Sequence, residues 1–462
     1  MKVYYGQTST SSVAWPQPKV WYALAFASST AGVVALFAPL VVVAGIVGAT
    51  SFVLLSIVNP FAGFWGYLIT EYARPGEIYP ALASLRLNRT VAIAVLFSLS
   101  IRWVMKRERP IWVRENTYLL FFLVAMFASV PFSVWQGGAF STAMGFARIV
   151  IAFFLFVNVV QTETQLKRFV WGFLLVHLIP IGFQISGHHS SESAEGLERF
   201  GTAASSFVGD SNELALTISV PLAIALTWFL AEKRWLPRVV LGGLCVAYLV
   251  SIMLSGSRGG FLSLLALLVA IWLRSPRKLL ALAWLALVFI GFWYYAPSAY
   301  RERILSITSY QQDESAMGRK YAWAFARKTF VDHPVFGIGA GAFPMAYWRG
   351  EGVWKAVHSM YYQLLAELGV VGVTAFILFL VSLFQRIRAL SSLIKENHEH
   401  LRWYGALGTG CFNGLASFFV GSIFLSTLYY PVLYNLSALI VLLYLFMEKS
   451  VRGMSVTKQV EV

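Results

Sequence analysis

The sequence predicts an all-α polytopic membrane protein, a bundle of about 12 transmembrane helices with a long polar loop carrying short helices of its own. Three observations predict it. Of 462 residues, 58% are hydrophobic and only 12% charged, and the mean hydropathy is +0.68, too apolar for an ordinary soluble globule. Apolar runs approach the ~20 residues that a helical crossing needs, and short polar links separate them; an outer-membrane barrel would instead show alternating ~10-residue segments. The formal net charge of +15 is spread as short basic clusters in alternate links, which is a topology signal and not a nucleic-acid patch.

The runs follow in order. Val20 to Phe37, Val41 to Val58, Val91 to Met105, Tyr118 to Trp135, Phe140 to Val160 and Phe169 to Ile185 come first. After a polar loop come Leu214 to Ala231, Val239 to Leu254, Phe261 to Leu273 and Leu279 to Tyr295. A longer loop precedes Met360 to Phe384, Tyr404 to Phe424 and Pro431 to Met447. Phe61 to Tyr72 is too short to span unaided, so the side of the N-terminus is left open. The first run lacks the basic start and small-residue cleavage site of a signal peptide and is read as a retained helix.

Lys106, Arg107, Arg109 and Arg114 share one link, Lys167 and Arg168 another, then Lys233, Arg234 and Arg238, then Arg274, Arg277 and Lys278. Arg386, Arg388, Lys395 and Arg402 follow, and Lys449, Arg452 and Lys458 in the tail. The positive-inside rule makes these cytoplasmic and puts residues 187–213 and 297–358 on the opposite side. The chain reads as a single integral membrane domain over 1–462, with those two loops as its main polar insertions. Within the second, Ala322, Phe325, Ala326, Thr329 and Phe330 form an apolar helical stripe with Arg327 and Lys328 on the other face. Cys245 and Cys411 lie inside apolar runs and read as small core hydrophobes.

Candidate chemistry concentrates on the non-cytoplasmic side. Arg258, in LSGSRGGF, stands at a turn among Gly256, Gly259 and Gly260; an arginine near membrane depth takes a partner or a pathway role, so an anionic ligand and a salt bridge both remain open. Arg199 precedes a helix whose start offers Asp210, Ser211 and Asn212 as caps and Glu213 in the first turn. Arg148 interrupts a run expected to span, serving the same anionic site or pairing within the bundle. His358 stands where the long loop becomes the helix SMYYQLLAELG, with Tyr361, Tyr362 and Leu365 expected on its helical face. A helix N-terminus disfavours imidazolium, so His358 is expected to stay neutral, available as a base beside a natural anion site. His188 and His189 read as solvated, His177 as a core histidine, and His398 and His400 as cytoplasmic. Gly337, Gly339 and Gly341 make no nucleotide fingerprint, since neither a preceding strand nor a following Lys-Ser or Lys-Thr helix accompanies them; they are expected to build a tight turn. Asp313, Glu314, Asp332 and Glu351 are scattered, which argues against a metal site.

From Arg199 to Gly372 the motifs fall into a pattern. R-x-G before a D-x-N-E-like helix start, then G-S-R-G-G, H-P-x-x-G-x-G-x-G-x-F and H-S-x-Y-x-x-L-L-x-E-x-G-x-x-G resemble the bacterial O-antigen ligase and O-antigen polymerase superfamily. Ser359, where the family often has asparagine, and GDSNE, which lacks the usual proline before its asparagine, leave the subfamily open. The resemblance implies a bacterial inner-membrane, multi-pass glycosyltransferase with its active site facing the periplasm. Its donor would be an undecaprenyl-diphosphate-linked glycan and its acceptor lipid A-core, among membrane lipids, with no metal, cofactor or nucleic acid. It also implies His358 as catalytic base and Arg199 and Arg258 as diphosphate ligands; Arg148, Tyr361 and Asn212 are expected as supporting residues. A polymerase joining lipid-linked repeats and a protein O-oligosaccharyltransferase remain alternatives within the family, and a lipid-linked glycan flippase is one outside it.

Overall fold

A computed structural model of the chain describes residues 40–74, 86–185, 190–192, 198–200, 210–275, 277–296, 298–305, 314–396 and 402–460. The expected first run Val20 to Phe37, His188, His189, His398, His400 and Asp313 lie outside these residues.

The elements are α1 (Leu40–Val58), α2 (Pro60–Ala73), α3 (Leu87–Lys106), α4 (Arg114–Ser129), α5 (Gln136–Val159), α6 (Glu163–Val176) and α7 (Leu178–Ile185). Strands β1 (Ser190–Glu192) and β2 (Glu198–Phe200) follow. Next come α8 (Ser211–Ala231), α9 (Trp235–Leu254), α10 (Arg258–Arg274) and α11 (Lys278–Tyr295). The long loop carries α12 (Ser298–Leu305), α13 (Glu314–Asp332) and α14 (Phe343–Glu351), before α15 (Met360–Glu396), α16 (Arg402–Gly421) and α17 (Pro431–Val460) close the chain. Among the described residues the architecture is helical except for β1 and β2, a short antiparallel ribbon in the first polar loop with Ser191 opposite Arg199. Nine helices among the described residues are long and apolar enough to cross a membrane.

Helix α8 is the hub. It packs on α9, α10 and α16, and its core-facing residues include Leu214, Ile218, Leu222 and Ala225, all fully buried. The short apolar segment 61–72 forms α2, which begins on an Asn59 cap with Pro60 in the first turn and buries Phe64, Tyr67, Leu68 and Tyr72 against its neighbours. His177 does belong to the core, wedged between the rings of Tyr72 and Phe173 with Nδ1 2.6 Å from the Phe173 carbonyl. Both cysteines are buried and unpaired.

The bundle has two chemically different ends. At one, Arg386 Nε donates to Glu115 Oε1 (2.9 Å) and Arg114 Nη1 to Gln385 Oε1 (2.7 Å). Lys167 lies over the Trp403 ring, and Arg274 covers Phe412. These basic links, distant in sequence, therefore meet. At the other end the polar connections meet: Val134 N–H donates to the Ile338 carbonyl, Met360 N–H to that of Ser422, and the Tyr300 hydroxyl to that of Ser257.

The longest helix, α15, is broken at Gly369, whose φ 56°, ψ −160° is non-helical and lies in a region open essentially to glycine alone. The break leaves carbonyls and N–H groups without intrahelical partners, and the segment HPVFGIGAG fills it. Ile338 N–H donates to Ala366 O (3.0 Å), Gly339 N–H to Glu367 O (2.9 Å), and Val370 N–H to Pro334 O (2.8 Å). A Cβ on Gly337 would sit 2.4 Å from the Glu367 carbonyl carbon, which explains why glycine stands there. The expected tight turn is thus a plug that mends a broken helix.

Candidate active site

His358 lies just before α15 and is held by two neighbours. Its backbone N–H donates to Ser426 Oγ (3.0 Å), and the preceding Val357 carbonyl accepts from Trp323 Nε1 (3.0 Å). Its φ is 51°, a left-handed conformation. The side chain is half-buried, and among the described residues neither ring nitrogen has a hydrogen-bond partner.

This backbone corrects one expectation. Because His358 is not in helical register, Tyr361 and Tyr362 do not share a face with it: the Tyr361 hydroxyl donates to Phe419 O (2.9 Å), while Tyr362 stacks on Trp323. A second expectation keeps its sign and changes its cause. The His358 pKa is pulled down from 6.5 to about 4, first by burial, then by the charge of Arg319 and more weakly by Lys355, with Asp210 opposing. Neutrality at pH 7 comes from desolvation and two cations more than from a helix end.

Arg319 and Lys355 were not singled out from the sequence. Arg319 lies on α13, one turn before Trp323, and Lys355 reaches back over that helix: a Cβ on Gly318 would stand 1.9 Å from its Nζ. The available signal was the i, i+4 spacing of Arg319 and Trp323.

Asp210 is the N-cap of α8, accepting from Asn212 N–H (2.6 Å) and Asn212 Nδ2 (2.8 Å). Asn212 Oδ1 in turn accepts from Ser257 Oγ (2.8 Å), and Ser257 caps α10 by accepting from Gly260 N–H (2.9 Å). Arg258, the first residue of α10, is 8% exposed. Asp210 therefore joins the surroundings of His358 to the cap that bears Arg258, although Asp210 and Ser257 are far apart in the chain. Phe424 completes this link, since its ring neighbours Trp323 and its Cβ stands 3.9 Å from a Cβ built on Gly259. Arg199 falls on β2; its side chain lies outside the described residues.

Arg148 stands elsewhere. With Arg74, Arg86, Arg89, Tyr429 and Tyr430 it lines a cavity of about 690 Å³. Tyr430, which lines this cavity, donates its hydroxyl to Glu213 Oε1. Tyr429 donates to Glu367 Oε2 (2.7 Å), and the same oxygen accepts from Gly341 N–H (2.8 Å). The glutamate of the H-S-x-Y motif is thus a buried tie between the plug and the 422–430 connection. Burial, and the glutamate that each faces, hold both tyrosine hydroxyls well above their ordinary pKa, so they act as donors and not as phenolates. Among the described residues no group of three or more His, Cys, Asp or Glu is placed to hold a metal ion.

Fold and site together define a multi-pass helical membrane protein whose polar connections build a site around a neutral histidine at one end of the bundle. Residues 243–377 match the family model described as O-antigen ligase, so this segment is similar to that family. The matched segment holds Arg258, Arg319, Lys355, His358 and the plug, and leaves out Arg199, Asp210 and the arginine-lined cavity. Among curated proteins none matches the chain. That family is one of glycosyltransferase-like enzymes acting on lipid-linked glycans.

Proposed function

We propose that the chain is an inverting O-antigen ligase, transferring glycan from an undecaprenyl-diphosphate donor to lipid A-core at the periplasmic face of the inner membrane, without a metal or cofactor. The observation that carries this is the placement of a half-buried, neutral His358 within the family-matched segment, among Arg319, Lys355 and the Asp210 cap. The nine candidate spans among the described residues support a multi-pass bundle, and the basic links gathered at one end support a reading in which the opposite end is periplasmic.

In the reaction, His358 takes the proton from an acceptor hydroxyl as its oxygen attacks the anomeric carbon. The bond from that carbon to the diphosphate oxygen breaks in the same displacement, inverting the centre. Arg199 and Arg258 receive the diphosphate as its charge develops, while Asn212 holds the Arg258 cap in place. Tyr361 is tied to α16 through its hydroxyl, and Arg148 lines the arginine-rich cavity. The low basicity of empty-site His358 also has a role. A bound diphosphate is a nearby anion, which raises the pKa of the imidazole, so the donor itself strengthens the base that will use it.

Mass spectrometry of the product formed from purified lipid-linked donor, with and without lipid A-core, tests the proposal. Glycan joined to lipid A-core is expected, with His358→Ala abolishing the bond while donor binding persists. Growth of the chain on undecaprenyl diphosphate without lipid A-core would make the protein a polymerase, and a glycosylated polypeptide would make it an oligosaccharyltransferase. Bond formation by His358→Ala would remove the proposed mechanism.

A further inference from the structure

The cavity at the junction of α2, α3, α5 and the start of α17 has a composition that packing does not explain. Among the described residues four arginines line it, Arg74, Arg86, Arg89 and Arg148, with one carboxylate, Glu71. Glu71 already accepts from Asn88 Nδ2 (2.7 Å). Arg148 stands in the middle of α5, a helix long and apolar enough to span, where an arginine costs ~2.5–3.5 kcal/mol on insertion scales unless it pairs or faces water. It is exposed within the cavity, and neither it nor Arg89 has a side-chain hydrogen bond or ion pair to a described residue. Its guanidinium folds back over Gly145, 3.5 Å from the place a Cβ would occupy.

The other walls are aromatic. Tyr67, Phe146, Tyr429 and Tyr430 face the same space, giving ring faces and hydroxyls of the kind that hold a sugar. About 690 Å³ falls within the ~300–1,000 Å³ of small-molecule sites and accommodates a phosphorylated sugar unit. Tyr430 then connects the cavity through Glu213 to the Asp210 end of α8, and hence to the surroundings of His358.

We infer that this cavity is a second anion site, taking a phosphate-bearing sugar headgroup of a glycolipid, with Arg148 and Arg89 as its ligands and Arg74 and Arg86 at its rim. Arg258 is not among the residues that line this cavity, and the cavity's occupancy can be read without any transfer reaction. The phosphate has two possible sources, a prenyl diphosphate-linked sugar and the phosphorylated glucosamine of an acceptor glycolipid. The chemistry is common to both.

Equilibrium binding to the full chain in nanodiscs tests this, using farnesyl diphosphate in one arm and an acylated glucosamine disaccharide phosphate in the other, each beside its dephosphorylated counterpart. The phosphorylated probe of at least one arm is expected to bind, and to bind about 10-fold or more weakly to Arg148→Gln and to Arg89→Gln. Arg148→Lys should retain most of the affinity, and Lys328→Gln, on the exposed face of α13, should retain all of it. A response confined to the disaccharide assigns the site to the acceptor; one confined to farnesyl diphosphate assigns it to the donor, and either supports the anion site. Wild-type affinity in both Arg148→Gln and Arg89→Gln, or equal binding of phosphorylated and dephosphorylated probes, overturns it. Because the measurement involves no turnover, absence of glycan transfer would sink the proposed reaction and leave this result readable.

Discussion

Gly369→Ala tests whether the broken helix and its plug are a single structural unit. Alanine at φ 56°, ψ −160° occupies a backbone region that costs a non-glycine residue ~1–3 kcal/mol. Its Cβ would stand 2.5 Å from the Val335 carbonyl oxygen and 2.6 Å from that of Pro334, about 1 Å inside ordinary contact. Those oxygens accept from Val371 and Val370 N–H at 3.2 and 2.8 Å, so relieving the clash stretches two hydrogen bonds worth ~0.5–1.5 kcal/mol each. The total is about 2–6 kcal/mol. With ~2.1 cal/mol/K of unfolding entropy per residue, a 462-residue chain shifts by about 1 °C per kcal/mol, so Tm should fall by ~2–6 °C. Intrinsic tryptophan fluorescence on heating in detergent reads this. Gly243→Ala is the control, since it meets nothing within 4 Å and should stay within ~1 kcal/mol of the parent. Equal Tm values for the two variants would refute the account of the plug.

Two further outcomes follow from the site. His358 titrates near 4 in the fold against 6.5 ordinarily, so between these values the unfolded chain binds the extra proton. The stability this contributes is whole above about pH 6.5 and is lost as pH falls toward 4. Transfer should show the same residue: kcat/KM level from pH 5 to 8 and falling below, with the acid limb of kcat displaced upward by bound diphosphate. An acid limb of kcat/KM centred at or above 6.5 would rule out this environment for the base. Glu367→Ala strips Gly341 N–H and the Tyr429 hydroxyl of their buried acceptor, at ~1–3 kcal/mol per orphaned donor. Its Tm should fall by a few degrees and transfer should weaken, with donor affinity less affected; an unchanged Tm would show that the tie is dispensable.

What the residues displayed and what they concealed divide along physical lines. Hydropathy and basic-link alternation are local properties of the chain, and they sufficed for the helical membrane class, most helix positions and the gathering of basic links at one end. His358 and Arg258 were legible because each is a polar group placed where an apolar run begins. The left-handed backbone of His358 was not, because it is imposed from outside, by Ser426 and by Trp323 holding Val357. Likewise the glycines of HPVFGIGAG announced a turn, but their partner is a helix break at Gly369, and no spacing within the segment names that partner. The segment 61–72 shows the opposite case: too short to span by length alone, it is a helix because buried faces of neighbouring helices complete it.

By itself, then, the sequence determined the helical membrane class of the protein and proposed the histidine at which to seek its chemistry. Only the tertiary structure decided what surrounds that histidine. It brought Asp210, Arg319 and Lys355 to His358 from three separate stretches, and gathered Arg74 and Arg86 of one connection, Arg89 of α3 and Arg148 of α5 around one cavity. The reason is that charge–charge interaction depends on separation through space, and residues far apart along a chain become neighbours only when the helices between them have packed.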